Sequence, residues 1–292
     1  MTHISDPIPP SKNHPTAWKQ APDALLRSIR GVCLDIDDTL STDGKLTAQA
    51  FSALWKLKDA GLKVVPITGR PAGWCDHIAR FWPVDAVVGE NGAFTFLLKP
   101  ADGSKSPART TRARLDTPGA IHNTAKRALK LEELRQAVLE RFPHAQFASD
   151  QAYREHDLAI DFCEDVTPWP QADIDALVDL CHSRSAHAKI SSIHVNTWFG
   201  DFDKVKGFEH FLSRNPEMPP KDQWLFIGDS PNDEPMFRHF PNSVGVANLK
   251  NFLDRLSYSP TYITDHPSGE GFVEMTERLL RALNLNSTQK GI

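Results

Sequence analysis

GVCLDIDDTL, residues 31–40, drives a run in which Val32, Cys33, Leu34 and Ile36 are apolar straight into three carboxylates, Asp35, Asp37 and Asp38. Such a run followed by a polar turn reads as a short buried strand of a parallel sheet. Downstream, AQAFSALWKLKDAGL places Ala50, Leu54 and Leu57 at i, i+4 and i+7 and stops at Gly61, which predicts a helix. KVVPIT then reads as a second strand, GRPAGWCDHIARFW as a second helix and VDAVVGENG as a third strand. Alternating strands and helices call for parallel pairing with right-handed crossovers, and such sheets carry their functional groups at the carboxyl ends of the strands. Those ends are Asp35 and Thr68. Further on, QWLFIGDSPND repeats the design, ending in Gly228 and Asp229, and SVGVAN and TYITD read as two more short strands.

The pattern changes between residues 93 and 200. TFLL is strand-like, a Ser/Pro/Arg-rich loop runs through Pro118, a helix is predicted over 123–142, HDLAIDF reads as a strand, a helix follows over 172–182, and AKISSIHVNTWF reads as one strand. This is an α+β module inserted into an α/β domain. The expected organisation is a loosely attached arm over 1–27, a core from 28–92 and 201–292, and the inserted domain over 93–200. The fold class is α/β, a doubly wound, Rossmann-like parallel sheet carrying an α+β insertion. The loop KSPARTTRAR holds Lys105, Arg109, Arg112 and Arg114, a solvated loop or an attraction for anions.

Composition narrows the function. Of 292 residues, 40% are hydrophobic and 24% charged, as in ordinary globular proteins, and the net charge of -4 gives no footprint for nucleic acid or an anionic membrane surface. No window approaches 18 uninterrupted apolar residues and the N-terminus lacks a signal-peptide pattern, so a cytoplasmic protein without membrane or nucleic-acid partners is expected. Oligomeric state is not encoded in any pattern. Cys33, Cys75, Cys163 and Cys181 lie far apart without a C-x-x-C pair, which reads as buried free thiols. The 12 histidines show no ligand spacing and read as mostly surface residues. A P-loop and a G-x-S-x-G elbow are both absent, which disfavours Walker-type nucleotide hydrolysis and serine esterase chemistry.

Carboxylates gathered at buried strand ends are costly unless a cation or hydrogen bonds compensate them. If Asp35, Asp229 and Asp233 converge, their all-oxygen set suits Mg²⁺, which keeps waters and shares phosphate oxygens. Taken in order, Asp35-Ile36-Asp37-Asp38-Thr39, Thr68-Gly69-Arg70, Asp203-Lys204 and Gly228-Asp229-Ser230-Pro231-Asn232-Asp233 resemble the four motifs of the haloacid dehalogenase superfamily. The insertion after Glu90-Asn91-Gly92-Ala93 resembles the Cof-like branch, whose α+β cap lies between the second and third motifs and which includes sugar-phosphate phosphatases and phosphomannomutases. The resemblance spans residues 31–272, and over the cap it is one of architecture.

It implies a Mg²⁺-dependent phosphatase acting on a small phosphorylated metabolite. Asp35 would be the nucleophile that forms an aspartyl phosphate, and Asp37 the acid and base. Metal ligands would come from Asp35, the Asp37 carbonyl, Asp229 and Asp233. Thr68, Gly69, Arg70, Lys204 and Asn232 would contact the phosphoryl group and substrate. Lys206, which precedes Gly207, competes with Lys204 for the third-motif role, but Phe208 and Phe211 at i+4 and i+7 favour Lys204. Glu90, Asn91, Arg154 and Asn196 join Arg70 as places to look for specificity. A phosphomutase and a regulatory phosphate-binding module that has lost turnover are the rival readings, and hinges at Asn91-Gly92 and Gly200-Asp201 are expected.

Overall fold

The computed structural model describes residues 14–100 and 110–284. Strands β1 (Thr16–Ala17), β2 (Gly31–Leu34), β3 (Lys63–Pro66), β11 (Trp224–Gly228), β12 (Ser243–Gly245) and β13 (Tyr262–Ile263) form a parallel sheet in the order β1-β13-β12-β11-β2-β3. Strand β4 (Ala86–Gly89) joins beyond β3 through a parallel bridge between Ile67 and Val88.

Because side chains alternate across a strand, β2 sends Val32 and Leu34 to one face and Cys33 to the other. On the first face these meet Leu54 and Leu57 of helix α2 (Ala48–Asp59) and Phe272, Met275 and Leu279 of α8 (Ser268–Asn284). On the second, Cys33 and Val65 meet Phe208 and Phe211 of α6 (Lys204–Arg214) and Phe237 of α7 (Glu234–His239). Both faces of the sheet are thus covered, as a doubly wound fold requires.

Residues 14–27, expected as a loose arm, are instead part of this core. β1 pairs with β13, and Trp18 and Leu26, the latter in the short helix α1 (Asp23–Leu26), are fully buried against Tyr262 and α8. Residues 1–13 lie outside the described residues.

A second difference concerns where the insertion starts. Strands β5 (Phe94–Pro100) and β6 (Thr110–Asp116) form an antiparallel hairpin that continues from β4. Phe94, Phe96 and Leu97 pack on core elements, including helix α3 (Ala72–Phe81), so the hairpin belongs with the core. Part of the stretch read as a loop is therefore strand. Lys105 and Arg109 fall outside the described residues, while Arg112 pairs with Asp76 (3.3 Å) and Arg114 with Glu155 (2.7 Å). Both arginines are thus paired with carboxylates.

The cap itself is a four-stranded antiparallel sheet, β7 (Gln146–Phe147), β8 (Asp157–Asp161), β10 (His194–Trp198) and β9 (His187–Ile190) in that order. Helices α4 (Thr124–Arg141) and α5 (Gln171–Ser183) cover one face through Leu134, Val138, Ile174 and Leu177. The run read as one strand, AKISSIHVNTWF, is the β9–β10 hairpin, turning at residues 191–193. The other face and this turn look toward the core, and the connections meet where Ala120 pairs with Gly200. No helix among the described residues is long and apolar enough to cross a membrane.

Candidate active site

The parallel register fixes the centre of the site. Asp35 N donates to Ile227 O (2.9 Å), which aligns the end of β2 with the end of β11 and brings Asp35 beside Asp229. Thr68 follows β3 on the other side, so the three functional loops leave adjacent strands at their carboxyl ends. β2 has β3 on one flank and β11 on the other, and the crevice opens at that switch point.

After β11 the chain must turn tightly. A Cβ on Gly228 would stand 2.4 Å from Asp233 Oδ2, so only glycine lets Asp233 fold back under the strand. Asp233 Oδ2 then accepts from Asp229 N (3.1 Å), which locks the GDSPND loop with both carboxylates inward. Asp35, Asp229 and Asp233 are all buried, and each offers an oxygen within 4.8 Å of the others.

Lys204 supplies the ammonium. Asp203 caps α6 by accepting from Lys206 N (2.8 Å), which makes Lys204 the first helical residue. Two residues along a helix are about 200° apart, so Lys204 and Lys206 face opposite ways. Lys204 Nζ lies 2.7 Å from both Asp35 Oδ1 and Asp233 Oδ1, whereas Lys206 pairs with exposed Asp201. The geometry puts Lys204 in the cluster and Lys206 outside it.

Three carboxylates against one ammonium leave the cluster short of positive charge. Burial pushes Asp35 up to about 8; Lys204 works against this, while Asp233 and Asp37 add to it. Asp229 is raised well above the carboxylate range by burial and then by Asp35 and Asp233. Burial lowers the Lys204 pKa, but Asp233 and Asp35 outweigh it and hold the ammonium above the ordinary lysine range. A hard, multiply charged cation among these oxygens would relieve the strain, and a small all-carboxylate set matches the donor chemistry of Mg²⁺.

Asp37 sits at the cavity wall, two residues past Asp35. Arg70 grips it, with Nε 3.0 Å from both carboxylate oxygens and Nη2 2.7 Å from Oδ1. The same guanidinium reaches Asp150 (3.2 Å) and Glu164 (2.9 Å) of the cap and stacks over Trp74 at 4.5 Å. Expected as a substrate contact, Arg70 is saturated here by three carboxylates and ties cap to core through Asp37. Burial would raise Glu164, but His194, 2.8 Å away, and Arg70 hold it down at about 2.

Other expected residues fall around this centre. Thr68 is fully buried, its Oγ1 accepting from Arg70 N (3.0 Å), and Gly69 forms part of the cavity wall. Asn232 also lines the wall and donates to Asn91 Oδ1 (3.3 Å). Glu90, wholly buried, accepts from Ala72 N (2.9 Å) in the core and from Glu155 N (2.9 Å), His156 N (2.5 Å) and Asp157 N (3.2 Å) in the cap. Arg154 adds a bond to Gly69 O (2.8 Å). These two residues fasten the cap down.

Several participants escaped sequence reasoning. Asn248 donates to Asp229 Oδ2 (3.3 Å) and to Asp38 O (3.1 Å); Asp150, Glu164 and His194 complete the Arg70 network. His194 and His156 are buried rather than on the surface, and Cys163 is only partly buried.

Residues 32–110 match a model of the haloacid dehalogenase-like hydrolases. Over those residues the sequence is haloacid dehalogenase-like; for the rest of the chain the likeness is one of fold. A solved protein from Thermoplasma acidophilum shares the fold with a TM-score of 0.63 at 21% identity, over 86% of this chain and 98% of that one. A phosphatase of the haloalkanoate (HAD) superfamily from Bacteroides thetaiotaomicron aligns with a TM-score of 0.55 at 18% identity, over 86% and 95%. The sucrose-phosphatase of Synechocystis, solved with sucrose and phosphate, gives 0.58 at 16%, over 87% and 98%. At these identities the likeness is one of fold. No curated protein matches the sequence.

Proposed function

We propose that this protein is a Mg²⁺-dependent phosphomonoester hydrolase that works through an aspartyl phosphate on a small phosphorylated metabolite of the sugar type. The observation that carries the proposal is the convergence of buried Asp35, Asp229 and Asp233 on Lys204, with Asp37 alongside under a closed cap.

Asp35, Asp229 and Asp233 would hold the ion, and bound Mg²⁺ would draw negative charge off the phosphoryl oxygens while keeping its carboxylates ionised. The Asp35 carboxylate attacks phosphorus and the bond to the ester oxygen breaks, with Asp37 giving that oxygen its proton. Asp37 then takes a proton from water, which attacks phosphorus and frees Asp35. Arg70 fixes the plane of the Asp37 carboxyl for both transfers. Lys204 keeps Asp35 oriented and offsets charge on the phosphoryl group.

The cap also fits this reading. Between Asp35 and the β9–β10 turn the closed cavity offers about 20 Å³, room for about one or two waters and far too small for a sugar phosphate. Substrate entry therefore requires the cap to lift, and closure afterwards excludes bulk water from the reaction. Phosphate release from a panel of phosphorylated metabolites, with Mg²⁺ and with chelator, tests the proposal. Mg²⁺-dependent release is expected. Movement of the phosphoryl group to a second hydroxyl without release would replace the hydrolase by a phosphomutase, and no reaction with any ester would end the proposal.

A further inference from the structure

Resting on that reading, the walls around Asp37 define the leaving group. A second cavity of about 230 Å³ adjoins the closed one, and Asp37, Arg70 and Ile193 line both. Since Asp37 is the group that protonates the departing oxygen and lines both cavities, the alcohol portion of the substrate lies against the wall they share. Besides Asp37, the second cavity is walled by Asp38, Asp43 and Glu164. Its one cation among the described residues, Arg70, is already bound by Asp37, Asp150 and Glu164. Ser41 is likewise consumed, accepting from Asp38 N (3.2 Å) and donating to Ile36 O (3.2 Å).

An independent observation lies in the closed cavity. Asn196 lines it, is 2% exposed, and its Oδ1 has no hydrogen-bond partner among the described residues, an acceptor that a ligand donor would satisfy. Carboxylates and a vacant amide oxygen ask for the same thing, a ligand rich in donors. A second anionic group would face three or four carboxylates with no free cation among the described residues, a repulsion that grows where water is displaced. We infer that the leaving group is a polyol or amino-polyol that carries no negative charge of its own, so sugar acids and bisphosphates are discriminated against.

The test compares kcat/KM for four esters on one carbon skeleton: a hexose 6-phosphate, its 2-amino analogue, the corresponding aldonate 6-phosphate and a hexose bisphosphate. The amino and neutral esters should exceed the other two by about tenfold or more. Asp43 walls the second cavity but is exposed, with φ 49°, and asparagine tolerates that backbone conformation, so Asp43→Asn should fold normally. It should narrow the gap by about two- to fivefold, and raising salt in the wild type should narrow it as well. Preference for the acid or bisphosphate, or a gap indifferent to both Asp43→Asn and salt, overturns the inference. Absence of turnover on every ester, a generic aryl phosphate included, sinks the hydrolase reading and this inference together. Brisk turnover with an acid preference sinks this inference alone.

Discussion

Replacing Lys204 with methionine keeps the bulk of the side chain and removes its charge from between Asp35 and Asp233, each 2.7 Å from the ammonium. Leaving buried charges without their partner costs about 3–5 kcal/mol unless a proton takes its place. Asp35 already holds its proton up to about 8 with Lys204 present. In metal-free protein below that pH Asp35 is neutral in wild type and variant alike, so the only ion pair lost is the one with Asp233. Above it, the wild type keeps an ion pair where the variant must either bury bare carboxylates or retain a proton, so the stability gap widens as pH rises through about 8. Urea unfolding with chelator at about pH 6 and pH 9 measures this. In Mg²⁺, Lys204→Met should lower kcat on the order of 10²-fold or more. Lys206→Met should leave turnover unchanged, because its pair with Asp201 is exposed. A fully active Lys204→Met, or an inactive Lys206→Met that still folds, would refute the assignment.

Chelator should abolish phosphate release and Mg²⁺ restore it, and Asp233→Ala should raise the Mg²⁺ concentration required by about tenfold or more, read from a metal titration of rate. Because burial raises Asp35 to about 8, its contribution to metal-free stability is present below the ordinary carboxylate pKa and is lost as pH climbs toward 8. The thermal shift produced by Mg²⁺ should therefore grow from about pH 5 to pH 8; a shift that shrinks over that range contradicts the assignment of these carboxylates to the metal. Glu90→Gln puts an amide N–H₂ among four N–H donors, which should destabilise cap closure by about 1–3 kcal/mol and speed proteolysis in the connections near residues 117–121 and 199–203; unchanged cleavage would deny Glu90 its fastening role.

The centre of the site was legible because its signals are local. An apolar run ending in Asp35, or in Gly228-Asp229, is set by a few consecutive residues, and the choice of Lys204 followed from Phe208 and Phe211 on its helix face. The α+β nature of the insertion was legible from its periodicities. What stayed hidden was non-local or compositionally disguised. Arg70 finds Asp150 and Glu164 80 and 94 residues away, and no spacing rule reaches that far. β6 alternates correctly, with Ala113 and Leu115 packing inward, but Arg112 and Arg114 on the face it shares with Phe94 and Phe96 gave it the composition of a loop. Their guanidiniums lie over Phe96 and Phe94, at 4.4 and 4.7 Å, which explains how charged residues serve a strand there. The N-terminal segment is held by Trp18 and Leu26, two anchors with no periodicity to reveal them. The β9–β10 turn was signalled by Ser191-Ser192, passed over within an otherwise apolar run.

The proposed mechanism requires a covalent bond between Asp35 and phosphorus. Acid-quenching the protein during turnover with Mg²⁺ and a hydrolysed ester, followed by mass spectrometry of the peptide containing residues 31–40, should find one phosphoryl group on Asp35. Asp37→Asn should increase the phosphorylated fraction by slowing hydrolysis of the intermediate, and Asp35→Asn should abolish it while lowering kcat on the order of 10³-fold or more. Turnover with Asp35 unmodified at every quench time, in wild type and Asp37→Asn alike, or an Asp35→Asn protein that still releases phosphate at the wild-type rate, would contradict it.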